Sequence, residues 1–245
     1  TSRFQRYSNK LNLEHRFNDK VKFGANLIVN HSINNRVSSH GPGTRLLSRA
    51  LEQRPADPAY HPDGSYNIGG SPTLRRHSGV QVINDQTSAY KTYRGILNIS
   101  TEFKPFEGFT YTASFNLDYG TYHDNTYASP NHVRGKRYGG RVLDSRNILT
   151  NLLVENLFEY QKSWEDFDFK ALVGHSFQKE TVESSLIDAR AFPSPSFTAI
   201  SSAALQFAFG DKLESTLDSY LGRITGSYKD RYFLNIALRR DGSSR

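Results

Sequence analysis

From residue 109 to residue 119 the chain reads Phe-Thr-Tyr-Thr-Ala-Ser-Phe-Asn-Leu-Asp-Tyr, apolar or aromatic at every odd position and polar and small at every even one. Alternation with period two is the signature of a β-strand that meets two different environments. Its length is as telling as its period. Strands of ordinary sheets stop after about 5–6 residues, whereas roughly 9–11 tilted residues are needed to cross the hydrocarbon of a bilayer. The pattern predicts a membrane-spanning strand with lipid on one side and water on the other.

The pattern recurs along the chain. Val21, Phe23, Ala25, Leu27 and Val29 alternate with Lys22, Gly24, Asn26 and Asn30, with Ile28 as an intruder on the polar side. Gly95, Leu97, Ile99, Thr101 and Phe103 oppose Arg94, Asn98, Ser100 and Glu102. Phe167, Phe169, Ala171, Val173 and Phe177 oppose Asp168, Lys170, Gly174, Ser176 and Gln178, and Tyr232, Leu234, Ile236 and Leu238 oppose Asn235 and Arg239. Eight strands are predicted, at about 2–17, 21–36, 88–103, 109–124, 147–160, 167–180, 216–228 and 231–241. Their connections alternate between short and long. Asn18 to Lys20, Lys104 to Gly108, Gln161 to Asp166 and Lys229-Asp230 are short, and 37–87, 125–146 and 181–215 are long. In an antiparallel meander every second connection falls at the same end, so short turns share one end and long loops the other, as in outer-membrane barrels. The fold class expected is all-β: an antiparallel transmembrane β-barrel segment of about eight long strands, with short periplasmic turns and long extracellular loops. About half of the aromatic residues, among them Phe103, Tyr111, Phe158, Trp164, Phe167, Tyr228 and Tyr232, crowd near the short turns, where an interfacial girdle belongs.

Composition narrows the picture. Only 36% of the 245 residues are hydrophobic, and no run of about 18 apolar residues is present to form a membrane helix. A barrel tolerates this, since its strands need apolar residues only at alternate positions. With no cysteine there is no disulfide framework and no thiolate chemistry. The chain also lacks methionine, and both termini look cut, so a fragment is expected. The net charge of +7 comes from bases set singly among Asp and Glu, without a basic stripe or nucleic-acid motif, so no nucleic-acid partner is expected.

Candidate chemistry is sparse. The eight histidines are scattered without metal-ligand spacing: His31 and His175 fall on the apolar register, and His40, His61, His77 and His132 fall in loops. No nucleophile elbow or phosphate cradle frames the available Ser, His, Asp and Gly residues. No enzyme, metal or cofactor is expected. The polar register supplies a mixed set of donors and acceptors: Lys22, Asn26, Asn30, Arg94, Asn98, Glu102, Asn116, Asp118, Glu155, Lys170, Gln178 and Arg223. The long loops carry Tyr60, Tyr66, Tyr127, Tyr138 and Phe197, rings able to stack on sugars or pack on a peptide or a covering lid, and these are the candidate contact residues. The first loop also predicts a short helix from Thr44 to Gln53, halted by Arg54-Pro55.

The stretch from Tyr220 to Arg245 carries a more specific signal. Tyr220, Gly222, Arg223, Asp230, Arg231, Tyr232, Arg239 and Asp241-Gly-Ser-Ser-Arg245 reproduce a Tyr-x-Gly-Arg strand, an Asp-containing turn, an Arg-Tyr strand start and an Arg-x-Asp-Gly-Ser-Ser-Arg end. This combination resembles the barrel of SusC/RagA-like TonB-linked outer-membrane transporters. A looser match places Ala50-Leu51 before Arg54-Pro55, Pro58, Tyr60 and Asp63-Gly64-Ser65-Tyr66. The resemblance implies that residues 1–245 are part of a TonB-dependent receptor barrel of about 22 strands, without its plug and remaining strands. It further implies a Gram-negative outer-membrane location, a SusD-like surface lipoprotein as lid, TonB acting through an N-terminal part, and import of an oligosaccharide or peptide. The loops would then form the outer vestibule. Two other readings remain open at this point: a self-contained eight-stranded outer-membrane adhesin, which requires the last strand to pair with the first, and a soluble β-sandwich lectin, which requires a second layer.

Overall fold

The computed structural model describes residues 2–36, 51, 56–67 and 79–244. Eight strands form one antiparallel sheet in sequence order: β1 (Arg3–Asn18), β2 (Val21–Asn35), β3 (Gln86–Phe103), β4 (Phe109–Ala128), β5 (Arg141–Trp164), β6 (Phe167–Arg190), β7 (Leu205–Tyr228) and β8 (Tyr232–Ser243). Short helices α1 (Gly79–Asn84) and α2 (Val133–Lys136) and a 3₁₀ turn at Ile200–Ser202 sit in the connections. The helix expected from Thr44 to Gln53 lies outside the described residues, apart from Leu51, which is helical.

Every expected strand is present, and the register explains why the alternation is so regular. Directly opposed residues share a face. Leu11, Leu27, Leu97, Leu117 and Leu152 therefore form one apolar row across β1 to β5, and Leu13, Ala25, Ile99, Phe115, Val154 and Phe177 form the next. All twelve residues of the predicted polar register lie on the opposite face, where Asn12, Asn26, Asn98 and Asn116 make a continuous row. Asn98 Nδ2 donates to Asn116 Oδ1 at 2.5 Å, and Arg94 Nε donates to Asp118 Oδ1 at 2.9 Å. That face is not uniformly polar, because Leu153, Leu157, Leu217 and Leu221 interrupt it on β5 and β7.

The apolar face is bare. Leu11 is 63% exposed and Leu238 76% exposed, and among the described residues no second layer covers the sheet. A sandwich lectin would bury such a face against another sheet, so that reading fails. The eight-stranded closed barrel fails as well. The strand order runs from β1 to β8 without a β8–β1 pairing among the described residues, so both outer edges keep open ladder groups.

The strands run further at the loop end than the alternation foretold. β5, β6 and β7 are each 24 residues long, and segments expected to be loop, such as 181–190 and 205–215, are strand. At about 3.3 Å per residue and a tilt near 40°, such a strand rises about 60 Å, more than twice the height of a membrane barrel's apolar band. The backbone ladder continues where the side-chain pattern fades, and there part of the sheet is covered by its own connections, with Val142 and Ala189 fully buried.

The turn end is tight. Asn18 Oδ1 accepts from the backbone N–H groups of Lys20 and Val21 at 2.9 and 2.8 Å, closing the β1–β2 hairpin with its own side chain. Gly108 sits at φ +81°, and a Cβ there would lie 2.2 Å from the Gln161 carbonyl oxygen, so no other residue fits. Trp164, Phe167, Tyr228 and Tyr232 share one row near this end, and Phe103, Tyr111 and Phe158 share another.

A second aromatic belt, not anticipated from the sequence, lies higher on the same face. His31 stacks between Tyr7 and Tyr93, with ring centroids 6.3 and 4.0 Å away, and His175 lies 4.8 Å from Tyr220. Tyr93 is ten residues from Phe103, while Tyr119 and Tyr220 are eight from Tyr111 and Tyr228. With the same rise and tilt, the belts stand about 20–25 Å apart, close to the height of an outer-membrane apolar band. The histidines placed on the apolar register thus stand among the rings of this belt.

Candidate functional site

Above the upper belt the sheet carries side-chain structure of its own. Tyr127, Val142, Ala189, Phe192 and Ala203 form a small core joined by Ile200, and these residues come from β4, β5, β6 and the connection 191–204. The hairpin loop between β4 and β5 is anchored by His132, fully buried, whose ring accepts from the Arg134 N–H at 3.2 Å as the cap of α2. Gly135 packs so tightly there that a Cβ would meet the Ser129 carbonyl oxygen at 1.9 Å. A third connection is tied in through α1, since Gln81 Nε2 donates to the Asn131 carbonyl at 2.7 Å and Ser129 N–H donates to the Asp85 carbonyl at 2.8 Å.

The five candidate contact residues fall into different settings. Tyr60 and Tyr66 face each other across an isolated antiparallel bridge with rings 5.4 Å apart, and Asn84 Nδ2 donates to the Tyr60 hydroxyl at 3.3 Å. Burial lifts the Tyr66 phenol above its ordinary pKa, and burial likewise raises the neighbouring Asp85 carboxyl. Tyr127 is only 7% exposed, packed edge-on against Phe192 with its hydroxyl donating to the Pro195 carbonyl at 3.0 Å. Its ring is committed to holding the connection 191–204 against the end of β4. Phe197, by contrast, is 51% exposed in the connection before β7.

Tyr138 occupies the most organised setting. The guanidinium groups of Arg190, Arg141 and Arg137 lie 4.6, 4.8 and 5.7 Å from its ring centroid. Asp188 lies beside them, accepting from Arg141 Nε and Nη2 at 2.9 and 2.7 Å and from Arg190 Nε at 3.1 Å. The hydrogen bonds from Arg141, followed by those from Arg190, hold the Asp188 carboxyl far below the usual carboxylate range. Arg134 completes the group, its charged form disfavoured first by burial and then by Arg141.

The sequence reading has bases set singly among acids; the structure instead gathers four arginines at one end of the polar face. The β4–β5 and β5–β6 pairings bring this about, placing Arg141 directly opposite Arg190. A signal was available: residues 129–140 contain Arg134, Lys136 and Arg137 and no acid.

No family profile matches the chain. Over its full length it is 28% identical to TonB-dependent receptor P26 of Formosa agariphila, and over 99% of its length it is 25% identical to TonB-dependent receptor P3 of the same organism. It spans a quarter, 25%, of the length of each of these curated relatives. The whole chain also superposes on 28% of a chain in the RagAB peptide transporter, with a TM-score of 0.81 at 19% identity. It matches the same share of the RagAB peptide importer in its open-open state, with a TM-score of 0.78. A full-length likeness in sequence to TonB-dependent receptors, the RagAB-like fold and the motif-bearing β7–β8 hairpin agree: the chain resembles a β-barrel segment of SusC/RagA-like TonB-dependent receptors.

Proposed function

We propose that the protein containing this chain resides in a Gram-negative outer membrane and imports a bulky nutrient, an oligosaccharide or a peptide, by TonB-dependent gating. The observation that carries this reading is the two-faced meander. Its apolar face, bounded by two aromatic belts, suits acyl chains, and its opposite face, with the asparagine row and Arg94–Asp118, suits a wet lumen. The open edges at β1 and β8 pair with further strands of the same barrel, because lipid does not tolerate unpaired ladder groups. The loop ends then line the outer vestibule, beneath a SusD-like surface lipoprotein. RagAB is described as a peptide transporter, and that likeness supports a peptide as one of the two substrate classes.

Uptake in cells tests this reading. Removing the full-length gene should abolish growth on one oligosaccharide or peptide source. Restoring it should rescue growth only when TonB is functional. Growth that persists without the gene on every bulky nutrient tried, or rescue that ignores TonB, would refute import.

A further inference from the structure

We infer that the arginine-lined recess around Tyr138 is a recognition site for an anionic group, a carboxylate or sulfate, carried by the imported molecule. This deepens the import reading and rests on it. The recess has a volume of about 320 Å³ and opens on the polar face of the sheet, between Arg134, Arg137, Arg141 and Tyr138, with Thr126 and Leu143 in its wall. Its size is that of a small ligand site, enough for one acidic unit of a larger chain.

Charge balance is the first argument. Three guanidinium groups, those of Arg137, Arg141 and Arg190, gather around the Tyr138 ring, and among the described carboxylates Asp188 is bonded to two of them, Arg141 and Arg190. Among the described residues the Arg137 side chain has no carboxylate partner. Arginine forks suit planar, two-oxygen recognition of a carboxylate or sulfate. Asp188 has a second effect: by fixing Arg141 and Arg190 against the Tyr138 ring, it holds a cationic wall in place before any ligand arrives.

The surroundings argue against a merely solvated charge cluster. Arg134 is half-buried beside Arg141 and lines the recess. Tyr138 is also half-buried, with its ring forming part of the wall rather than projecting into solvent. The loop is held by buried His132 and the tightly packed Gly135, so the arginines project from a fixed base.

The test uses the full-length protein in detergent and isothermal titration calorimetry. Tetragalacturonate and tetraglutamate present carboxylates on a glycan and on a peptide, maltotetraose and tetraglutamine are the neutral counterparts, and sodium sulfate is the bare anion. One acidic oligomer should bind at least tenfold more tightly than its neutral counterpart, and which one does so identifies the source. Arg137→Gln should weaken that binding about tenfold and flatten its salt dependence, while Lys162→Gln at the opposite end leaves it unchanged. Arg137 is exposed and outside the ladder, so its variant should fold, which heat-modifiable gel mobility verifies. If neither acidic oligomer outbinds its neutral partner, or Arg137→Gln binds as wild type does, the inference is overturned. TonB-dependent growth of cells carrying Arg137→Gln is read separately. Growth on neutral nutrients that persists while acidic selectivity is absent removes the anion site and leaves the import reading standing.

Discussion

The lower and upper halves of this sheet have the same backbone and are held together by different means. Near the short turns the side chains of one face are exposed apolar groups and those of the other are polar rows interrupted by leucines such as Leu157 and Leu221, and the described buried apolar residues lie elsewhere. The ladder and the medium outside do the stabilising there. Near the loops the side chains hold one another through the Tyr127–Phe192 core, the Asp188–Arg141–Arg190 cluster and the α1 tie. The comparison teaches that a strand can change its source of stability along its own length, and that the proposed recognition site lies at the end where side chains hold one another.

The largest effect should come from the upper core. Tyr127→Ala removes a ring packed on Phe192 and the hydroxyl bond to Pro195, a loss of about 3–5 kcal/mol for a buried aromatic. Because the core pins the connection 191–204 to the outermost residues of β4, β5 and β6, the damage should be local. Limited proteolysis of the full-length protein in detergent should cut within 191–204 many-fold faster, while heat-modifiable mobility of the barrel stays as in wild type. Loss of the barrel band would mean that the two halves are one cooperative unit.

The lower half should respond to the sign of a face rather than to packing. Leu117 and Asn116 are adjacent and point to opposite faces, Leu117 in the leucine row and Asn116 in the asparagine row. Leu117→Arg should cost about 2–4 kcal/mol at mid-band, and Asn116→Arg less than about 1 kcal/mol. Urea unfolding in phospholipid vesicles measures both. Equal costs would mean that the two faces do not meet different media.

Legibility in the sequence follows the same division. The lower half was readable because lipid imposes a period-two rule on every strand, so Phe109 to Tyr119 alone announced length, register and environment. The ends of β5 to β7 were not readable, since a segment such as Leu205 to Ser215 has no dry face and no rule to obey. The upper belt was legible only in retrospect, from the recurrence of Tyr93, Tyr119 and Tyr220 eight to ten residues from turn aromatics. Tyr60, Tyr66 and Phe197 were recognisable as loop rings, but the burial of Tyr127 was not, because its partners Phe192 and Pro195 are distant in sequence. The arginine cluster was hidden for the same reason: Arg141 and Arg190 meet only through the β5–β6 ladder.

The smallest expected effect concerns acidity, and it separates two carboxylates of the upper half. Asp188 has its pKa depressed by Arg141 and Arg190, so its stabilising contribution is complete above the ordinary carboxylate pKa and is lost only in strong acid, as pH falls through the lower folded value. Nothing at Asp188 should change between pH 7 and pH 5. Asp85 has the opposite sign. Burial raises its pKa, so the folded loop binds a proton more readily than the unfolded one, and stability rises as pH falls from the raised value toward the ordinary one. Acidifying from pH 7 toward pH 4 should therefore slow amide hydrogen exchange around α1 and Ser129, after correction for the intrinsic rate, by an amount worth less than about 1 kcal/mol once solvent screening is counted. Asp85→Asn should keep the hydrogen bond from Ser129, which uses the backbone carbonyl, and make the exchange independent of pH over that range. If the asparagine variant still tightens on acidification, the sensing group is another residue and Asp85 is only a neighbour.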